Sequence, residues 1–139
     1  MLAPQHGRGL PALCGRLEDL DLPPDSVECI SAFDVIEHIP LVSKFLSEVH
    51  RVLVPGGVVM VTVPALSMLW GDEDDFAGHQ RRYTKAQLVS EFEACGFVKL
   101  HTEYLYASLV TPAALTTPYP TDSGDAAPKP TCWQAFNRN

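Results

Sequence analysis

Residues 26–63 carry a short apolar run, an amphipathic stretch, a Pro-Gly-Gly break and a second apolar run, and few folds accept that order. The first run, SVECISAF (26–33), is nearly continuous in apolar character apart from Glu28, which fits a strand covered on both faces as in a parallel sheet. A turn signal, Pro23-Pro24-Asp25, precedes it. Pro40 suits a first helical turn, and Leu41, Val42, Phe45, Leu46, Val49, Val52 and Leu53 then recur at three- and four-residue spacing. Lys44 and Glu48 stand at i,i+4 on the opposite face. Proline cannot continue the helix beyond Val54, and Gly56 and Gly57 turn the chain into a second buried strand over 58–63. Strand, helix, tight turn and strand make a βαβ unit, whose strands are parallel, so the expected class is α/β.

A loop rich in Asp, Gly and Arg is expected over 65–83. Beyond it, Thr84 and Gln87 have capping-box spacing ahead of Leu88, Val89 and Phe92, and Gly96 stands where a helix would end. Residues 97–106 put Val98, Leu100, Thr102, Tyr104 and Tyr106 on one face and read as a strand near an edge, open to antiparallel pairing. Residues 1–15 are an irregular lead-in. From 116 to 139, dense Pro, Gly, Ser and Asp imply a disordered tail, leaving 16–115 as the folded part.

The 139 residues suit one domain, and a charged share of 19% beside 46% hydrophobic residues is globular. A net charge of -7 argues against nucleic acid as a partner, because phosphate backbones need clustered Lys and Arg. The longest apolar stretch, 58–70, is broken by Thr62, Pro64 and Ser67 and is shorter than the roughly 20 residues of a membrane span. No signal-peptide core opens the chain, and Cys14, Cys29, Cys95 and Cys132 form no CxxC pair, so a reducing, cytoplasmic setting without zinc is expected.

Four blocks stand in order: LEDLDLP (17–23), FDVIEHI (33–39), EVHRVLVPGG (48–57) and GHQRRYT (78–84). Together they resemble the class I, S-adenosylmethionine-dependent methyltransferases of small-molecule type, over roughly residues 16–115. The resemblance implies a partial Rossmann-like parallel sheet with flanking helices. It further implies that Phe33 and Asp34 line the S-adenosylmethionine pocket and that Leu17, Glu18 and Asp19 lie beside the adenine. The family usually has an acidic residue where Arg16 stands, so Glu18 or Asp19 would take its part, or these acids simply solvate a loop. Residues 33–38 lie at the carboxyl end of a strand, where open parallel sheets bind ligands.

Asp34, Glu37 and His38 form a carboxylate-x-x-carboxylate-His group suited to removing a proton from a substrate hydroxyl or, as in some related O-methyltransferases, to holding a divalent cation such as magnesium. The competing structural role is that Glu37 and His38 satisfy backbone donors at the start of the next helix. His79, Arg81, Arg82 and Tyr83 follow the acidic cluster Asp72, Glu73, Asp74 and Asp75. His79, Arg82 and Tyr83 would dock a substrate carboxylate or phosphate, or else Arg82 pairs internally and orders the loop.

The family's Gly-rich turn and the acidic residue after its second strand have no counterpart here. Only 25 residues precede Ser26, too few for a βαβ unit, so the first βαβ segment is expected to be missing. The family's last helix and strand are likewise expected to be absent, and uncovered sheet edges would favour self-association. Two functions remain open: methyl transfer to a small-molecule acceptor, or a non-catalytic methyltransferase-like fragment that at most binds a protein partner.

Overall fold

The computed structural model describes residues 14–105, the backbone of 131–135, and residues 136–138. Strand β1 (Val27–Phe33) runs through a 3-10 turn at Ile36–His38 into helix α1 (Val42–Val52), which passes directly into strand β2 (Leu53–Pro64). A short helix α2 (Asp72–Ala77) and helix α3 (Lys85–Ala94) lead to strand β3 (Phe97–Tyr104), and strand β4 (Thr131–Arg138) closes the described chain. The sheet order is β1-β2-β4-β3. β1 and β2 are parallel, as the βαβ pattern requires, and β4 lies antiparallel to both β2 and β3.

The helices follow their sequence signals. Val42, Leu46, Val49 and Val52 are the buried stripe of α1. Thr84 caps α3 by accepting from Gln87 N–H, and the Gln87 side chain returns to the Thr84 backbone, completing the capping box. Glu48 does not pair with Lys44. Both of its oxygens take hydrogen bonds from Arg51 instead, and that guanidinium also donates to Leu22 O, so the three-residue spacing wins by tying the helix to the chain ahead of β1.

Pro-Gly-Gly is a bulge inside β2 rather than a turn before it. Val27 pairs with Leu53 but Cys29 with Val58, and the extra β2 residues are absorbed where Gly56 takes φ +81°. Gly57 is fixed by crowding: an added Cβ would lie 2.9 Å from Val54 O and 3.1 Å from Glu28 O, both backbone atoms. Gly57→Ala is therefore expected to lower stability by about 1–3 kcal/mol, the usual cost of forcing atoms into a packed site, read as a lower urea midpoint.

Burial departs from the expected pattern. β2 alternates, with Val59, Val61 and Val63 fully buried and Val58, Met60 and Thr62 only half covered. In β1 only Ala32 is buried, and in β3 Val98 and Leu100 are exposed rather than core. Thus the strands expected to be covered on both faces are covered on one. The core is shared by α1, α3 and the inward residues of the sheet, with Phe92 stacked on Phe136 at 4.0 Å. β1's outer edge has no strand partner among the described residues.

The tail expectation is corrected for its last part. Residues 131–138 form β4, which sits between β2 and β3 and supplies the buried Phe136, so the last strand expected to be absent is present. Backbone pairing on both sides and one apolar anchor outweigh the Pro-rich approach. Residues 1–13, 116–130 and Tyr106 lie outside the described residues.

Candidate functional site

At the carboxyl end of β1 the chain turns sharply. Asp34 adopts φ +51°, in the left-handed region where Asp and Asn are tolerated. Its N–H donates to Thr62 O at 3.0 Å, and the Thr62 hydroxyl donates to Asp34 Oδ1 at 3.1 Å, pinning the turn to the neighbouring strand. Phe33, just before it, leaves 53% of its surface exposed. The expected cofactor residues Phe33 and Asp34 therefore present an uncovered ring and a carboxylate at one strand end. Leu17, Glu18 and Asp19 form a separate 3-10 turn that packs on α1, with Leu17 against the core and Asp19 exposed.

The next three residues turn inward. Glu37 is fully buried, and neither carboxylate oxygen has a hydrogen-bond partner. Burial raises its pKa above the ordinary carboxylate range, and the nearby negative charge of Asp34 adds to that. His38 stands beside it, Nε2 4.0 Å from Glu37 Oε1, with its side chain 41% exposed. No donor of the following helix reaches the Glu37 oxygens, and of the backbone donors only the residue's own N–H acts on the carboxylate, partly offsetting the upward shift.

The loop expected over 65–83 is largely built. After a 3-10 turn at Ser67–Leu69, α2 places Asp74 in the interior as the hub of a polar network. Asp74 accepts from Gly71 N–H (2.9 Å), from Arg82 Nε (2.9 Å) and Nη2 (2.8 Å), and from His79 Nδ1 (2.7 Å). Burial alone would push this carboxyl up, but the Arg82 and His79 hydrogen bonds outweigh it and hold it down at about 2. The ionised Asp74 carboxylate holds the His79 ring through Nδ1, which turns Nε2 away from the hub. Gln80 N–H donates to Glu37 O at 2.8 Å and Arg81 Nη2 to Pro40 O at 3.0 Å, stitching this segment onto the end of β1.

Two expected substrate contacts are corrected. Arg82 gives its fork to Asp74 and its remaining nitrogen to Ala65 O, with its side chain only 5% exposed, so it has no face left for a substrate anion. Tyr83 is a core residue at 2% exposure, its hydroxyl near Glu91 and its backbone bridging to Ala65. His79 does reach the site, but from the far side: its ring meets that of His38 edge to face at 4.8 Å. Candidate ligand atoms of Glu37, His38 and His79 all lie within 4.8 Å of one another. Asp34, expected in this group, is bonded to Thr62 and is not one of the three clustered donors. What the sequence concealed is Asp74, one of four consecutive acids, and only its five-residue spacing to His79 and eight-residue spacing to Arg82 hinted at a hub.

Residues 2–61 match the family described as a methyltransferase domain. A protein of Mycolicibacterium smegmatis named as a probable S-adenosylmethionine-dependent methyltransferase is 38% identical over 85 residues, covering 60% of this chain and 33% of that protein. The chain thus spans about a third of that relative's length. Among solved structures, the complex of the Haloferax volcanii Trm112 methyltransferase activator with a methyltransferase matches at TM-score 0.67 and 16% identity, over 91% of this chain and 60% of the other. A candidate sarcosine dimethylglycine methyltransferase from Galdieria sulphuraria matches at TM-score 0.61 and 17% identity, over 89% and 57%. At such identities the structural likeness speaks for the fold.

Proposed function

We propose that this chain, similar in sequence and in its partial Rossmann-like fold to the class I S-adenosylmethionine-dependent methyltransferases, forms the acceptor side and one wall of the cofactor site in a methyltransferase acting on a small molecule. The family implies S-adenosylmethionine, which supplies a methyl group already activated on a sulfonium. The exposed Phe33 ring offers an apolar surface for the adenine, and Asp34, fixed by Thr62, offers a carboxylate to a ligand hydroxyl. One observation carries the acceptor assignment: a fully buried, unpartnered Glu37 carboxylate beside a half-exposed His38, at the strand end where this fold binds ligands.

That arrangement suits an oxygen acceptor: the proton of an acceptor hydroxyl would pass to His38, whose partly exposed ring beside Glu37 is the accessible base in the metal-free site. Alignment of the two reactants and exclusion of water supply most of the rate. A cytoplasmic setting accords with free Cys14, Cys29 and Cys95, and among the described residues no helix is long and apolar enough to cross a membrane.

The alternative, a non-catalytic fragment, draws support from the open β1 edge and from the exposed Phe33, Val35, Val98 and Leu100, which invite self-association or a protein partner. Calorimetric titration of the purified chain with S-adenosylhomocysteine separates the two. Saturable binding weakened at least about tenfold in Asp34→Ala, a loss of roughly 1.4 kcal/mol, is the expected result. A folded chain without binding would leave the interaction role.

A further inference from the structure

Glu37 poses a physical problem that the methyl-transfer reading does not solve. An ionised carboxylate with no hydrogen bond and no water access is costly, and protonating it only replaces an orphan charge with an orphan hydroxyl. Buried polar groups of this kind call for a partner. The surroundings show its chemistry. His38 offers one imidazole from the same 3-10 turn, and His79 offers another from a different segment, 41 positions further along the chain. His79 already has the support typical of a metal ligand: its Nδ1 is held by a carboxylate that is itself locked by Arg82 and Gly71, so the ring is oriented.

We propose that Glu37, His38 and His79 bind a divalent transition metal of the zinc class, with Asp74 as the outer partner of His79. Two imidazoles and one carboxylate favour zinc, cobalt or nickel over magnesium, which selects oxygen ligands and keeps its waters. Tetrahedral zinc at about 2.0–2.1 Å sets ligand atoms roughly 3.3 Å apart, so side-chain rotations of about an ångström close the present set. Three protein ligands leave a position open, and the partial exposure of His38 puts that position on the solvent side. With metal bound, His38 would serve as a ligand rather than as the base, and the open position would lower the proton affinity of an acceptor oxygen so that its proton leaves to solvent. The proposal rests on the methyl-transfer reading for its use only, because metal binding is measured without cofactor or acceptor.

The test is titration of tag-free, chelator-treated chain with Co2+, followed by its visible d–d absorption, with Zn2+ as competitor. One site per chain, bleached by Zn2+, is expected. His38→Ala, a half-exposed position whose loss leaves the fold intact, and Glu37→Gln, which keeps shape and removes charge, should each weaken binding more than about tenfold. Zn2+ should raise the thermal midpoint of the native chain and not that of either variant. An unchanged Co2+ spectrum in both variants, thiolate bands showing capture by Cys14 or Cys29, or no saturable site in a folded chain would overturn it. Absent metal binding alongside intact S-adenosylhomocysteine binding would sink the metal site and leave the methyltransferase reading standing; the reverse result would do the opposite.

Discussion

Arg82→Met is expected to destabilise the chain by about 3–5 kcal/mol, a large share of a small domain's stability of roughly 5–15 kcal/mol. Its guanidinium supplies two of the hydrogen bonds to a fully buried Asp74 and holds Ala65 O at the end of β2. Removing the cation leaves a desolvated carboxylate facing only Gly71 N–H and His79. The double variant Arg82→Met/Asp74→Asn should recover part of the loss, because the orphan charge goes with its partner. Urea unfolding followed by circular dichroism measures both. A loss below about 1 kcal/mol for Arg82→Met would mean that water reaches Asp74 and that the hub is not closed.

Phe136→Ala is the second large effect, at about 3–5 kcal/mol, the range for emptying an aromatic site in a core. The ring is fully buried, stacks on Phe92 at 4.0 Å and 13°, and comes from the strand that joins β2 to β3. Without that anchor β4 keeps its backbone ladder but loses its main grip on α3. The same substitution in an unattached tail would leave the unfolding midpoint where it was, so this variant separates a structural β4 from a bystander.

The family blocks and the βαβ unit were visible because each rests on local signals: three- and four-residue spacing in α1, the Thr84/Gln87 capping box, and the Pro-Gly-Gly break. Glu37 and His38 were also legible, as an adjacent pair at a strand end. The engagement of Asp34 with Thr62 was not. It follows from the positive φ at Asp34 and its bonds to Thr62, a residue 28 positions away on another strand. Likewise the fork of Arg82 suits a substrate carboxylate and an internal one equally well, and only the burial of Asp74 chooses between them.

The sequence by itself determined the α/β class, the parallel pairing of β1 with β2, the helix ends and the methyltransferase resemblance, since those depend on neighbours within a few residues and on short motifs. Tertiary structure alone decided three things: that β4 completes the sheet, that Arg82 and Tyr83 serve the interior, and that His79 meets Glu37 and His38. Each of these joins residues distant along the chain, where the outcome depends on which groups lose water together and not on the pattern of any one segment.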